Sequence, residues 1–493
     1  MKPLSTLLLL VSLAGTGFPV PAQKNPALAE SPPMGWNSWN WHGKRAINEE
    51  IVRETIDAMV ESGLRDAGYT YVVIDGGWRD RELSPDGELI PHPRKFPNGI
   101  KPLADYAHSR GMKLGLHTVP GTHDCRGDPV GAYGHEEVHL GQFVDWGIDF
   151  IKLDLCKMDQ DPCDTCRKSR SGWSEKTIRD TYLKWSRMLH DCGREILLSV
   201  SAYEYRDWYP DYCNMARTTG DIQARCNSLA GARFDPPDIV PMLFLSVMEV
   251  ARINNEAAEY AGNGYWNDPD MMVTGDQGLS RIEEVSHFAL WCIMSAPLML
   301  GNDPRNMSDF ERDLLTNREM IAINQDPTEQ GKLIRESGET QVWTKNLQNG
   351  DVAVLLLNLD PSGERDIRLD FGEVGFSGDA GLSGDAGFSG DAGLSGEVGL
   401  SGDVRLSGDA GLSGEVGLSG DAGFSGDAGL SGEVGLSGDV RLSGDAGLSG
   451  DAGFSGDVRV RDVAGQKDLG TFSGSVTLSA GTHQCRFLRL SGE

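Results

Sequence analysis

Phe150-Ile-Lys-Leu-Asp-Leu-Cys156 is a short apolar run carrying two opposite charges, Lys152 and Asp154, two residues apart. Side chains two apart on a β-strand share a face. The stretch therefore predicts a strand with Lys152 and Asp154 on one side and Ile151, Leu153 and Leu155 on the other. Burying charge is costly unless the charge is paired. The pair is either a structural ion pair at a strand end or part of a working site, and this segment alone leaves both open.

Working outward, short β-like runs alternate with helical patterns from Pro33 to about Leu300. The strand candidates are Met34–Trp39, Tyr71–Asp75, Lys113–Thr118, Phe150–Asp154, Ile196–Ser201, Ala216–Asp221, Gly264–Asp270 and Leu298–Gly301. Between them lie helices such as Glu49–Ser62, which Asn48 can cap and whose Ile51, Ile56, Met59 and Val60 recur at helical spacing. Eight such units predict an α/β fold, a (β/α)8 TIM barrel over residues 30–330. No G-x-G-x-x-G follows the first strand, so a dinucleotide fold finds no support. After about Gly331 the strand candidates Gln341–Thr344, Val352–Leu359, Ile367–Phe371, Ser475–Leu478 and Arg486–Leu490 lack intervening helices. They predict a small antiparallel β-sandwich domain over 335–493.

A repeat interrupts that domain. From Ser377 to Ser455 a serine recurs every six residues, and the insertion is set at 377–457. Such a period fits a stacked solenoid. One modest apolar residue in six, among many glycines, favours instead a flexible, acidic, low-complexity insertion. Val458-Arg-Val-Arg-Asp462 reads as the strand that resumes the domain.

The formal charge is −28, of which −12 falls between Ser377 and Asp457. An acidic chain of this kind argues against nucleic acid as a partner. Residues 1–22 read as a secretory signal, with Lys2, the apolar Leu7 to Ala14 and Val20-Pro21-Ala22 before Gln23. That run is too short to span a membrane, and no later run reaches spanning length, so a secreted or periplasmic protein is expected. Nine cysteines in an exported chain allow disulfides and leave at least one thiol unpaired, with Cys292 a candidate for a buried one. Cys163 and Cys166 form a CxxC, read as a local disulfide or free thiols rather than a metal site.

Most strand candidates end in polar or charged residues, and the C-terminal ends of barrel strands share one face. Asp75, Asp154, Arg217 with Asp221, and Asp268 with Asp270 gather there, beside the flat surfaces of Trp39 and Trp78. A divalent metal would meet Lys152 and Arg217 beside these carboxylates, so no metal or other cofactor is expected. Phosphate would be repelled by the acidic ring. Sugar recognition uses every member of the set, and glycoside hydrolysis needs two carboxyl groups.

These residues sit in longer motifs: Pro33-Met-Gly-Trp-Asn-Ser-Trp39, Ile74-Asp-Gly-Gly-Trp78, Ile151-Lys-Leu-Asp-Leu-Cys156, Arg217-Thr-Thr-Gly-Asp221, Trp266-Asn-Asp-Pro-Asp-Met271, Ala289-Leu-Trp-Cys-Ile-Met-Ser-Ala-Pro297 and Ile321-Ala-Ile-Asn-Gln-Asp-Pro327. In that order the chain resembles glycoside hydrolase family 27, the α-galactosidase and α-N-acetylgalactosaminidase family, over about Pro32 to Asp360. The resemblance implies a retaining double displacement on an oligo- or polysaccharide, with Asp154 as nucleophile and Asp221 as acid/base. Lys152 would keep Asp154 ionised, while Asp221 needs surroundings that raise its pKa. It also implies that Trp39, Asp75, Lys152, Arg217 and Asp270 hold the glycone, and that Cys125 and Cys156 form a disulfide beside the site. Three positions depart from the family. Gly76 replaces a second Asp on the sugar's O4/O6 side, and His117 stands where tyrosine is common. Ser201 stands where α-galactosidases often carry a Glu for the C2 hydroxyl. The expected activity is α-galactosidase. The alternatives are another glycone on the same fold (α-N-acetylgalactosamine, β-L-arabinopyranose or an isomaltose unit) or a non-catalytic sugar-binding protein.

Overall fold

The computed structural model describes residues 24–169, 171–222, 229, 245–374 and 457–492, with backbone strands alone for parts of 382–449. The expected signal at 1–22 lies outside the described residues. Eight parallel strands form one sheet: β1 Met34–Asn37, β2 Tyr71–Ile74, β3 Lys113–Thr118, β4 Phe150–Asp154, β5 Leu197–Ser201, β6 Met215–Arg217, β7 Trp266–Asp268 and β8 Leu298–Leu300. They run in the order β8-β1-β2-β3-β4-β5-β6-β7. The ring closes through a parallel bridge between Met272, just past β7, and Leu300 of β8.

Alternation along β4 divides its residues between two layers. Ile151 and Leu153 join the large core that includes helix residues such as Ile56, Phe143 and Trp185. Phe150 faces inward and packs with Tyr71, Val73, Leu197, Met215, Trp266 and Met299, which plug the barrel. Lys152 and Asp154 continue that inward face toward the C-terminal mouth. Helix Glu49–Glu61 is capped as expected, Asn48 Oδ1 accepting from Ile51 N at 2.9 Å.

Behind the barrel, Lys332–Ser337, Thr340–Asn346, Val352–Asn358, Cys485–Gly492, Asp457–Asp462 and Lys467–Ser473 form a six-stranded sheet in that order. Arg365–Asp370 pairs with Ser475–Ala480 in a second sheet, and Val354, Leu356, Phe371 and Leu488 fill the space between. Lys345 reaches from this domain into the barrel. Its Nζ donates to Ser295 Oγ at 2.6 Å and to the carbonyls of Ile323 and Asp326 at 2.6 and 2.9 Å.

The repeat departs from the flexible segment favoured above. Its strands pair in parallel with a constant offset of eighteen residues, as in Gly411↔Gly429 and Glu415↔Glu433. Arg405 likewise aligns with Gly423, and that with Arg441. Eighteen residues are three hexapeptides, so this is the stacked arrangement set second above. Parallel backbone pairing supplies hydrogen bonds that the composition argument left out.

Near the closure seam, two buried carboxylates face one another. Burial, reinforced by Glu311, pushes Glu284 up to about 8, and burial raises Glu311 too. A carboxyl group whose folded pKa exceeds its unfolded value keeps its proton in the native state while the unfolded chain releases it. Stability therefore falls as pH rises from about 4.5 to about 8. Glu284→Gln should remove that fall. Its melting temperature should match the parent near pH 4.5 and exceed it by several degrees near pH 8; equal melting curves across the range would refute the assignment.

Candidate active site

The mouth is built from strand ends. Asp75 follows β2 and is held by Asn37 Nδ2 at 3.0 Å and Gly76 N at 2.7 Å, while its own amide donates to Ser38 Oγ at 2.9 Å. Lys152 Nζ donates to Asp75 Oδ2 at 2.8 Å. Burial opposes both charges, but each stabilises the other, so Asp75 lies well below the usual carboxylate range and Lys152 above the usual amine range. Lys152 is thus the direct partner of Asp75, not of Asp154. Their strands are two apart, and the long lysine stem crosses the interval.

Asp154 has its own donors. His117 Nε2, from β3, lies 3.1 Å from Asp154 Oδ2, and Tyr203 Oη donates to Oδ1 at 2.7 Å. A carboxylate only accepts, so Nε2 carries the proton. Burial works against ionisation of Asp154, yet His117, the nearby Lys152 charge and Tyr203 together outweigh it and lower its pKa. The carboxylate is therefore ionised at working pH, as expected, but chiefly through His117, with Lys152 contributing from a distance. Trp78 Nε1 and Arg79 Nη1 fix the end of β3 by donating to the His117 carbonyl at 2.9 and 3.2 Å. Trp78 is fully buried and packs edge-on against Trp146. It braces the site from behind rather than offering a face to sugar. Trp39, in contrast, is partly exposed.

On the opposite side, Arg217 at the end of β6 is buried and gathers two carboxylates. It lies 3.0 Å from Asp270 Oδ2 and 3.3 Å from Asp221 Oδ1. Its Nη2 also donates to the carbonyl of Gly220 at 2.6 Å, which shapes the turn carrying Asp221. Asp221 projects to the rim with 39% of its side chain exposed. Asp270 is tied down by the amides of Ile222 and Met271, both at 2.8 Å. Burial lifts Asp270 to about 6 despite Arg217, with Asp221 and Asp268 adding to the rise. Burial likewise raises Asp268.

Tyr203 was not singled out from the sequence. It has a φ of 63°, a left-handed conformation that a tyrosine seldom adopts. That backbone turns the phenol onto Asp154, while the guanidinium of Arg217 lies 5.8 Å from the ring centre. Burial, with Asp154 and Asp221 nearby, raises its ionisation far above the ordinary value, so it remains a neutral donor. Tyr203→Phe should remove one donor from Asp154. An activity limb set by ionisation of that carboxylate moves to higher pH, because its pKa rises. The loss in kcat should be about tenfold, the worth of one charge-assisted hydrogen bond. An unmoved acidic limb would show that the phenol does not act on Asp154.

Among the described residues there are two disulfides, Cys125–Cys156 and Cys163–Cys166. The first joins the loops after β3 and β4, and both its sulfurs lie near Asp154 Oδ2, at 3.9 and 3.6 Å. Cys292 is free and buried. Ser201 is the register partner of Asp154 on β5, and its buried Oγ has no protein hydrogen-bond partner. A Cβ on Gly76 would meet only Trp39, at 3.5 Å, so space remains there. A separate cleft at the other end of the barrel, bordered by Lys24, Asp211 and Tyr260, holds none of the strand-end carboxylates. The strand ends thus hold an ionised carboxylate on two donors, Asp154, and a guanidinium-bound one, Asp221, both close to the phenol of Tyr203.

The family model described as "Alpha galactosidase A" matches residues 31–326, and that of the "Alpha galactosidase C-terminal beta sandwich domain" matches 337–389. The chain belongs to glycoside hydrolase family 27. It is accordingly a glycoside hydrolase. Among family 27 relatives it is 37% identical to alpha-galactosidase 2 of Arabidopsis thaliana over 76% of this chain and 86% of that one. It is 38% identical to alpha-galactosidase A of Cellvibrio japonicus, over 71% and 81%. The crystal structure of alpha-galactosidase I from Mortierella vinacea superposes with a TM-score of 0.70 at 26% identity, covering 95% of this chain and 99% of that one.

Proposed function

We propose that this family 27 enzyme is an exported retaining α-galactosidase that releases terminal α-linked galactose from oligo- or polysaccharides. The observation that carries the mechanism is Asp154, ionised and held by His117 and Tyr203, with Asp221 bound to Arg217 and both carboxylates close to Tyr203. Asp154 attacks the anomeric carbon while Asp221 gives its proton to the leaving oxygen. The product is a glycosyl ester of Asp154. Asp221, now a carboxylate, takes a proton from water as that water attacks the same carbon, and the ester bond breaks. Lys152, Asp75, Arg217 and Asp270 form a charged frame for sugar hydroxyls, and Trp39 gives the flat apolar face. Export is supported by the leader-like composition of residues 1–22.

A second reading keeps the mechanism and changes the glycone. It is favoured by the open space at Gly76 and the free Ser201 Oγ opposite Asp154. A panel of aryl glycosides compared by kcat/KM decides between them. The α-galactoside should lead by at least tenfold; leadership of α-N-acetylgalactosaminide or β-L-arabinopyranoside would transfer the assignment to that sugar.

A further inference from the structure

The disulfide beside the nucleophile has a property that the hydrolytic reaction does not use. Sγ of Cys125, Sγ of Cys156 and an oxygen of Asp154 all lie within 4.8 Å of one another. The two sulfur–oxygen separations, 3.9 and 3.6 Å, are close to the edges of a metal tetrahedron. With zinc–sulfur bonds of about 2.3 Å and zinc–oxygen bonds of about 2.0–2.2 Å, such an edge measures about 3.6 Å. Only the sulfur–sulfur edge is too short, because it is a covalent bond. Cys125 is exposed, so a reductant can reach that bond, while Cys156 and Asp154 are buried behind it.

We propose that reduction of Cys125–Cys156 converts the nucleophile's pocket into a site for a thiophilic divalent cation, zinc or cadmium, which disables Asp154 by ligating it. A phosphine attacks the Cys125 sulfur, and the bonding electron pair leaves on the Cys156 sulfur, which takes a proton. Water then displaces the second sulfur from phosphorus, giving the phosphine oxide and the Cys125 thiol. The two sulfurs gain the two electrons that phosphorus loses. The cation next displaces both thiol protons and is held by two thiolates and the Asp154 carboxylate. The fourth position opens to the mouth. Lys152 and Arg217 oppose a hard cation at the oxidised site. Two thiolates add two negative charges and favour a soft one.

The test compares oxidised and phosphine-reduced protein, freed of phosphine, after Cys163 and Cys166 in their polar loop have been replaced by serine. Cadmium is titrated while the thiolate-to-cadmium ultraviolet band, bound metal per chain and hydrolysis of an aryl α-galactoside are followed. The reduced form should hold one more cadmium per chain than the oxidised form, show the band and lose at least tenfold in activity, all reversed by a chelator. In reduced Asp154→Asn protein the cadmium affinity should fall at least tenfold. Equal uptake by oxidised and reduced protein overturns the proposal, as does extra uptake with activity retained. Cys125→Ser protein that still takes up the extra cadmium on reduction also overturns it. The inhibition readout rests on Asp154 as nucleophile, whereas uptake and the ultraviolet band do not. A wrong mechanism would appear as hydrolysis that survives in metal-free Asp154→Asn protein, separately from any result on metal.

Discussion

Asp154→Asn should abolish hydrolysis, lowering kcat on an aryl α-galactoside by about 10⁴-fold or more, the scale on which removing one member of a catalytic unit acts. The substitution keeps the shape of the side chain and removes its charge. An amide cannot form the glycosyl ester, and at this position it would also present an NH₂ group to one of the two donors, His117 Nε2 or Tyr203 Oη, that now hold the carboxylate. The fold should survive, because β4 is anchored by Phe150, Ile151 and Leu153 rather than by its last residue. Near-normal turnover would refute the nucleophile assignment. Unfolding would instead show that the charge of Asp154 is needed to balance that of Lys152.

Asp221→Ala should divide substrates by leaving group. An alkyl or sugar leaving group needs a proton in the first step, so its kcat/KM should fall by about 10²–10⁴-fold, the range for a positioned general acid. An activated nitrophenyl leaving group departs unaided, so its first step should lose little. Its overall rate is then limited by hydrolysis of the ester, and azide, a nucleophile that needs no base, should restore turnover as a glycosyl azide. Equal losses on both classes with no azide rescue would remove Asp221 from the acid/base role. Arg217 loses one carboxylate neighbour in this variant but keeps Asp270 at 3.0 Å, so the mouth should hold its shape.

How far the sequence reveals such a site depends on whether a feature is local to one strand. β3 and β4 have the bounds expected from their apolar runs, and helix Glu49–Glu61 and its cap follow from spacing alone. β6 and β7 are shorter than expected, three residues each: past Arg217 one backbone bond, Thr218 N to Asp268 O, remains, and the Thr218 and Thr219 hydroxyls bond Asn254 and Pro269 O. The inward face shared by Lys152 and Asp154 is legible, since period two fixes it. Which carboxylate Lys152 touches is not, because that partner comes from β2, two strands away. Tyr203 is hidden for a different reason: its role depends on a positive φ that no composition pattern announces. The burial of Trp78 was missed because a tryptophan at a strand end can face either way. In the repeat, the six-residue period stands out and masks a longer one. Glu397, Glu415 and Glu433 replace aspartate at intervals of eighteen, the same offset as the strand register.

That offset governs how the segment can change length. When three hexapeptides complete one revolution, adding or deleting a single unit sends the chain out a third of a turn from where it entered. The returning strand Asp457–Asp462, which must pair with both Cys485–Gly492 and Lys467–Ser473, would then be misdirected. Changes of eighteen residues only raise or lower the column by one storey. Tandem duplication can therefore lengthen this insertion in whole revolutions without disturbing the domain it interrupts, a tolerance that a hexamer-by-hexamer expansion would not enjoy.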